Sequence, residues 1–101
     1  MNQVRLTARV VEAGVLRHTP AGLPALDVQL EHESEVEQLG RARKVRLVLK
    51  ALALGTLAER LATQAIGSQW CFSGFLASPQ RGRQVVFHIQ DFQQDQFEGG
   101  F

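Results

Sequence analysis

The sequence predicts an all-β fold: a five-stranded OB-fold barrel with one helix between its third and fourth strands. Three observations carry this. Five stretches alternate apolar and polar residues with the two-residue period of a half-buried strand. One stretch, residues 53–66, instead repeats its apolar residues at helical spacing. Where that pattern stops, at Gly67, an alternating strand begins at once, with Trp70, Phe72, Gly74 and Leu76 on one face and Gln69, Cys71 and Ser73 on the other.

Val4, Leu6, Ala8 and Val10 alternate with Arg5, Thr7 and Arg9 and define the first strand. Gly14 then opens a loop. Pro20 and Pro24 remove backbone donors and Gly22 permits a sharp turn, so neither helix nor strand is expected across residues 15–24. The second strand places Leu26, Val28 and Leu30 inward and Asp27, Gln29 and Glu31 outward. Glu31, Glu33, Glu35 and Glu37 follow at every second position, and a continuing strand would line one face with like charges, which is unfavourable without basic neighbours. Two readings follow. Either the strand frays near His32 into a mobile loop, which is the preferred expectation, or the glutamates pair with the arginines downstream.

Gly40 ends the acidic segment and the sign of the charge reverses: Arg41, Arg43, Lys44, Arg46 and Lys50 follow with no acid among them. Val45, Leu47 and Leu49 alternate with Arg46, Val48 and Lys50, a third strand with its charge on one face. In the helix, Leu54, Leu57, Ala58, Leu61, Ala62 and Ala65 form the apolar stripe, Thr56 with Glu59 matches a capping box, and Gly67 fits a C-terminal cap. The stripe suits a helix that covers one open end of the barrel. Residues 78–83 make a short hairpin connection into the last strand, with Val85, Phe87 and Ile89 facing one way and Val86, His88 and Gln90 the other. Beyond Gln93 the chain turns polar and acidic. The organisation is one domain, residues 1–93, and a flexible C-terminal tail, residues 94–101.

At 101 residues and a net charge of +1, the chain as a whole is no strongly basic binder, so any electrostatic site must come from segregated charge. The lone Cys71 excludes an intramolecular disulfide and a multi-cysteine metal site, and fits a reducing cytosol. An N-terminus that alternates from the start argues against a signal peptide, and no apolar run approaches the ~20 residues of a membrane helix, so a cytoplasmic protein is expected. His18, His32 and His88 lack chelating spacing, so no metal is expected. With no P-loop, dinucleotide turn or nucleophile elbow, neither a cofactor nor enzymatic activity is expected.

The loop Leu16-Arg17-His18-Thr19-Pro20-Ala21-Gly22-Leu23-Pro24, the Leu30-Glu31-His32 that follows it, and the strand Gly67-Ser68-Gln69-Trp70-Cys71-Phe72-Ser73-Gly74-Phe75-Leu76 together resemble the PriB (primosomal replication protein N) family, small relatives of bacterial single-stranded DNA-binding proteins. The resemblance runs to about Phe92. It implies a non-enzymatic homodimer that binds single-stranded DNA and bridges it to the PriA helicase and other primosome proteins during replication restart. By position, Arg17 falls on a basic site of the first loop, Arg43 on one before the third strand, and Arg81 and Arg83 on lysines of the last hairpin. Arg41 and Arg46 stand where better-known members carry aromatics, Glu33 where they carry a basic residue, and the hairpin at Gly82 is shorter. These departures imply weaker base stacking.

Single-strand binding needs cations that track phosphates and flat groups on which bases stack. The candidate nucleic-acid-binding residues are Arg17, His18, Arg41, Arg43, Lys44, Arg46, Lys50, Arg81 and Arg83, since arginine also stacks through its guanidinium plane. The competing view is a solvated strand face that balances the glutamate run. Trp70 shares its face with Phe72 and Leu76, which favours core packing over a stacking platform. Phe75 suits the surface, at a dimer contact or the barrel rim; Phe92 and Phe97 fit either a core plug or a partner contact. An OB-fold module that binds protein rather than DNA is the alternative function, and an RNA-binding translation factor has little support beyond the fold.

Overall fold

The alternation of Val4, Ala8 and Val10 builds β1 (Val4–Ala13) in the computed structural model, in which residues 1–94 are described. Then come β2 (Arg17–His18), β3 (Pro24–Gln38), β4 (Arg41–Leu54), α1 (Thr56–Ala62), β5 (Gln69–Ala77) and β6 (Val86–Gln93). The sheet order is β1-β5-β6-β4-β3-β2, and β1 also pairs with β3, which closes five strands into a barrel. Among the described residues only the β4–β6 pairing is parallel, a short one at Ala51↔Phe87 and Leu52↔His88. The expected OB-type barrel stands. Residues 95–101, with Phe97 and nearly all of the expected tail, lie outside the described residues.

Phe72, Phe87, Leu26 and Leu30 fill the interior, each essentially fully buried. Ala58 and Leu61 of α1 close one end over them. Phe92 plugs this core: its ring meets Trp70 edge-on at 5.2 Å, and the Arg60 guanidinium covers it at 4.8 Å from the centroid. Trp70 is likewise a packing residue, and its indole N–H donates to Ser68 Oγ at 2.9 Å.

Three expectations are corrected. The segment after Glu31 is strand and no loop: β3 and β4 pair without interruption from Ala25↔Leu54 to Gln38↔Arg41. The glutamates do line one face of β3, and the downstream basic residues relieve them as the second reading has it, with Glu33 opposite Arg46 and Glu35 opposite Lys44. Leu39 and Gly40, with φ of 53° and 74°, make the tight turn at the tip, both central residues at positive φ as a type I′ hairpin requires. The second correction is the helix, which runs from Thr56 to Ala62 because β4 continues through buried Ala51 and Ala53. Gly55, at φ 70°, precedes it and Thr56 makes no capping bond; the carbonyl of Arg60 at its end accepts from Thr63 Oγ1 and Gln64 Nε2. Gly67 ties to β1 instead, its N–H donating to the Val10 carbonyl at 2.6 Å. Third, the proline-rich loop does hold a strand, since a turn at Thr19–Gly22 folds Arg17 and His18 back against Ala25 and Pro24.

β1 leaves β3 after the Arg9↔Glu31 pair, so the rest of the β3–β4 hairpin projects from the barrel as a two-stranded arm. The principal extents of 49 × 36 × 24 Å and a radius of gyration of 14.7 Å, against about 13 Å for a compact chain of this length, reflect it.

The β5–β6 register shifts between Ser73 and Gly74, with Gln90 of β6 as the extra residue, and Gly74 lies so close to β6 that a Cβ there would sit 1.9 Å from the His88 carbonyl oxygen. Backbone, unlike a side-chain tip, cannot swing away. Gly74→Ala is therefore expected to destabilise the fold by about 2–4 kcal/mol, or to prevent folding. A urea unfolding midpoint equal to that of the parent chain would contradict the close approach.

Candidate nucleic-acid interface

Strand alternation decides which basic residues share a face. Lys44, Arg46 and Lys50 of β4 point the same way as Gln29, Glu31, Glu33 and Glu35 of β3, while Arg41 and Arg43 lie on the reverse face with Val36 and Gln38. The run that looks continuous in sequence is thus split between two faces of the arm.

The first face continues onto the barrel. Lys50 Nζ donates to Gln84 Oε1 at 3.4 Å, which brings it beside the connection that carries Arg81 and Arg83, both exposed. Arg17 on β2 pairs with Asp27 at 3.0 Å, next along β3 from Gln29, the partner of Lys50. His18 is exposed beside it. Lys44, Arg46, Lys50, Arg17 and the 78–85 connection therefore form one basic strip along the outside of β3 and β4. On the reverse face Arg43 Nη1 donates to Gln38 Oε1 at 2.6 Å.

Carboxylates interrupt the strip, most of all where the arm leaves the barrel. Arg9, outward on β1, is absent from the sequence-derived candidates. It hydrogen-bonds Glu31 and lies 3.7 Å from Glu33; Arg46 reaches the same two acids at 3.4 and 3.8 Å. Alternation alone shows that Arg9 faces outward, but only the β1–β3 register shows that it faces Glu31. Partial withdrawal from water pushes the Glu31 pKa up; hydrogen bonds from Arg9 and Arg46, with their charges, outweigh this and hold it below its ordinary 4.5.

His32 bolts the base of the arm to β1. Its Nδ1 lies 2.6 Å from the Thr7 carbonyl, to which it can only donate, and its Nε2 lies 2.8 Å from Ser34 Oγ, a hydroxyl able to serve as either partner. Phe75 stacks on His88 at 4.9 Å and 9° on the outside of β5 and β6, half-buried. Among the described residues, no cluster of His, Cys, Asp and Glu is placed to hold a metal ion, and no helix is long and apolar enough to cross a membrane.

A closed five-stranded barrel of this kind, with one helix over an end, is an OB fold. Residues 2–91 match the model of a family described as "another single-strand binding protein family". The chain is 48% identical over 91 residues to the replication restart protein PriB of Bordetella pertussis, covering 89% of this chain and 85% of that one. PriB of Neisseria meningitidis serogroup B is 36% identical over 94 residues, 92% of this chain and 93% of that one. The chain belongs to the PriB family of single-strand binding proteins. The solved structure of PriB from Ralstonia solanacearum superposes with a TM-score of 0.86 at 33% identity, covering 94% of this chain and 98% of that one. The single-stranded DNA-binding protein of Thermus aquaticus shares the fold, with a TM-score of 0.72 at 24% identity over 92% of this chain and 49% of that one.

A carboxylate with a lowered pKa stabilises the fold above its ordinary pKa, and the contribution is lost as pH falls through the lower folded-state value. The urea midpoint is accordingly expected to fall from about pH 5 downward, and to fall less steeply in Glu31→Gln. Parallel pH profiles for the two chains would show that the Arg9–Glu31–Arg46 cluster adds nothing.

Proposed function

We propose that this chain is a non-enzymatic, cytoplasmic adaptor of the replication restart primosome that binds single-stranded DNA and bridges it to the PriA helicase and other primosome proteins. The observation that carries this reading is the kinship with replication restart proteins named PriB across 89% of the chain. The basic strip supports it physically. Lys44, Arg46, Lys50, Arg81 and Arg83 would track phosphates, with Arg17 and His18 at one end and Arg41 and Arg43 on the back of the arm. With Trp70 engaged in the core, base stacking falls to guanidinium planes and binding is mainly electrostatic.

The working form is a homodimer in this reading. Residues Val4 to Ala8 of β1 pair with β5 on one side, and β3 joins the other side only from Arg9 onward. Apart from the Thr7 carbonyl, which His32 occupies, this edge offers backbone groups for a second copy.

Anisotropy titrations with labelled single-stranded and duplex oligonucleotides at two salt concentrations test the DNA reading. Preference for the single strand is expected, weakening as salt rises. Arg46→Ala and Arg43→Ala, one on each face of the arm, should weaken binding to many sequences alike, each lowering the salt slope by about 0.7. Unchanged affinity in both would remove the arm from the site. Absence of binding to either form, alongside helicase capture that persists without DNA, would favour the protein-interaction module, to which the glutamates among these cations are suited. A monomer mass by light scattering at working concentration would refute the dimer.

A further inference from the structure

Arg9 and Arg46 come from different strands, β1 and β4, yet converge on the same pair of carboxylates. The two acids are held differently. Glu31 accepts hydrogen bonds from both guanidinium groups, and its side chain is only 17% exposed. Glu33 makes no hydrogen bond to either arginine, at 3.7 Å from Arg9 and 3.8 Å from Arg46, and its side chain is 59% exposed. Glu31 therefore anchors the arginines from the protein side, while Glu33 sits on the solvent side as a loosely held counter-charge. A carboxylate between two guanidinium groups occupies the place a phosphate takes when arginines bind it.

We propose that Arg9 and Arg46 form a seat for a backbone phosphate, and that Glu33 is its internal occupant, an autoinhibitory contact that an incoming strand must displace. With both acids ionised the cluster is neutral, and swinging Glu33 aside leaves one uncompensated positive charge toward the ligand. Glu31 stays in place and keeps both guanidinium groups aimed. Glu35, next on the same face, lies opposite Lys44 rather than these arginines. For its natural ligand the inference rests on the DNA-binding reading above.

The test compares Glu33→Gln with Glu59→Gln, an equal change of charge placed on α1 away from the seat. Both are titrated at low salt with an oligo-dT strand and with inorganic polyphosphate, a polyanion without bases. Glu33→Gln should bind both ligands about fivefold more tightly than the parent chain, the gain shrinking as salt rises. Glu59→Gln should stay close to the parent, and in an Arg46→Ala background the gain from Glu33→Gln should largely vanish. The seat is overturned if Glu33→Gln tightens neither ligand, if Glu59→Gln tightens them equally, or if the whole gain survives without Arg46. Tightening on polyphosphate in a chain that ignores oligo-dT would keep the seat and sink the DNA reading. Normal oligo-dT binding with no response to Glu33→Gln would do the reverse.

Discussion

The uninterrupted ladder between β3 and β4 is the constraint on which the rest depends. It carries a wall of the barrel at one end and the arm at the other, and a slip of one residue would turn every side chain to the opposite face. The charges pin that register. In the observed one, Arg46 and Lys44 each stand opposite a glutamate while Leu30 and Leu49 face inward together. A one-residue slip would bury charge and expose leucine. Electrostatics thus acts here less as a source of stability than as a selector among alignments, since exposed pairs of this kind contribute only about 0–1 kcal/mol each.

The barrel end is organised differently. Its packing is aromatic and needs close backbone approach, with Phe72 and Phe87 fully buried, Phe92 under Trp70 and Arg60, and Gly74 pressed against β6. The short helix adds only Ala58 and Leu61 to the buried set, which suffices to close the opening. Body and arm are therefore stabilised by different physics, apolar burial in one and backbone pairing with interleaved charge in the other.

Much of this was legible in the residues. The period of two in Val4–Val10, Leu26–Leu30 and Gln69–Leu76 located the barrel strands, because one face of each must be buried. The helix bounds were not legible, because Ala53 continues the strand alternation of Leu49 and Ala51 while the next residue, Leu54, falls in the helical stripe with Leu57 and Ala58; tertiary pairing with β3 decided it. The glutamate run misled for a related reason. Repulsion along one strand is visible in sequence, whereas its relief by a neighbouring strand depends on register, as does the meeting of Arg9 with Glu31. Family resemblance supplied basic positions, but the division of Arg41 and Arg43 from Lys44 and Arg46 emerges only from the faces of the ladder.

The bolt between His32 and Thr7 marks where a thick body gives way to a ribbon two strands wide. From there to Gln38 the ribbon is about 20 Å long at the usual rise per residue. A rotation of ~10° at its root would therefore carry the tip through ~3.5 Å, about the rise of one strand residue. By geometry alone, any change of angle at this histidine would be magnified into a larger displacement at the far end.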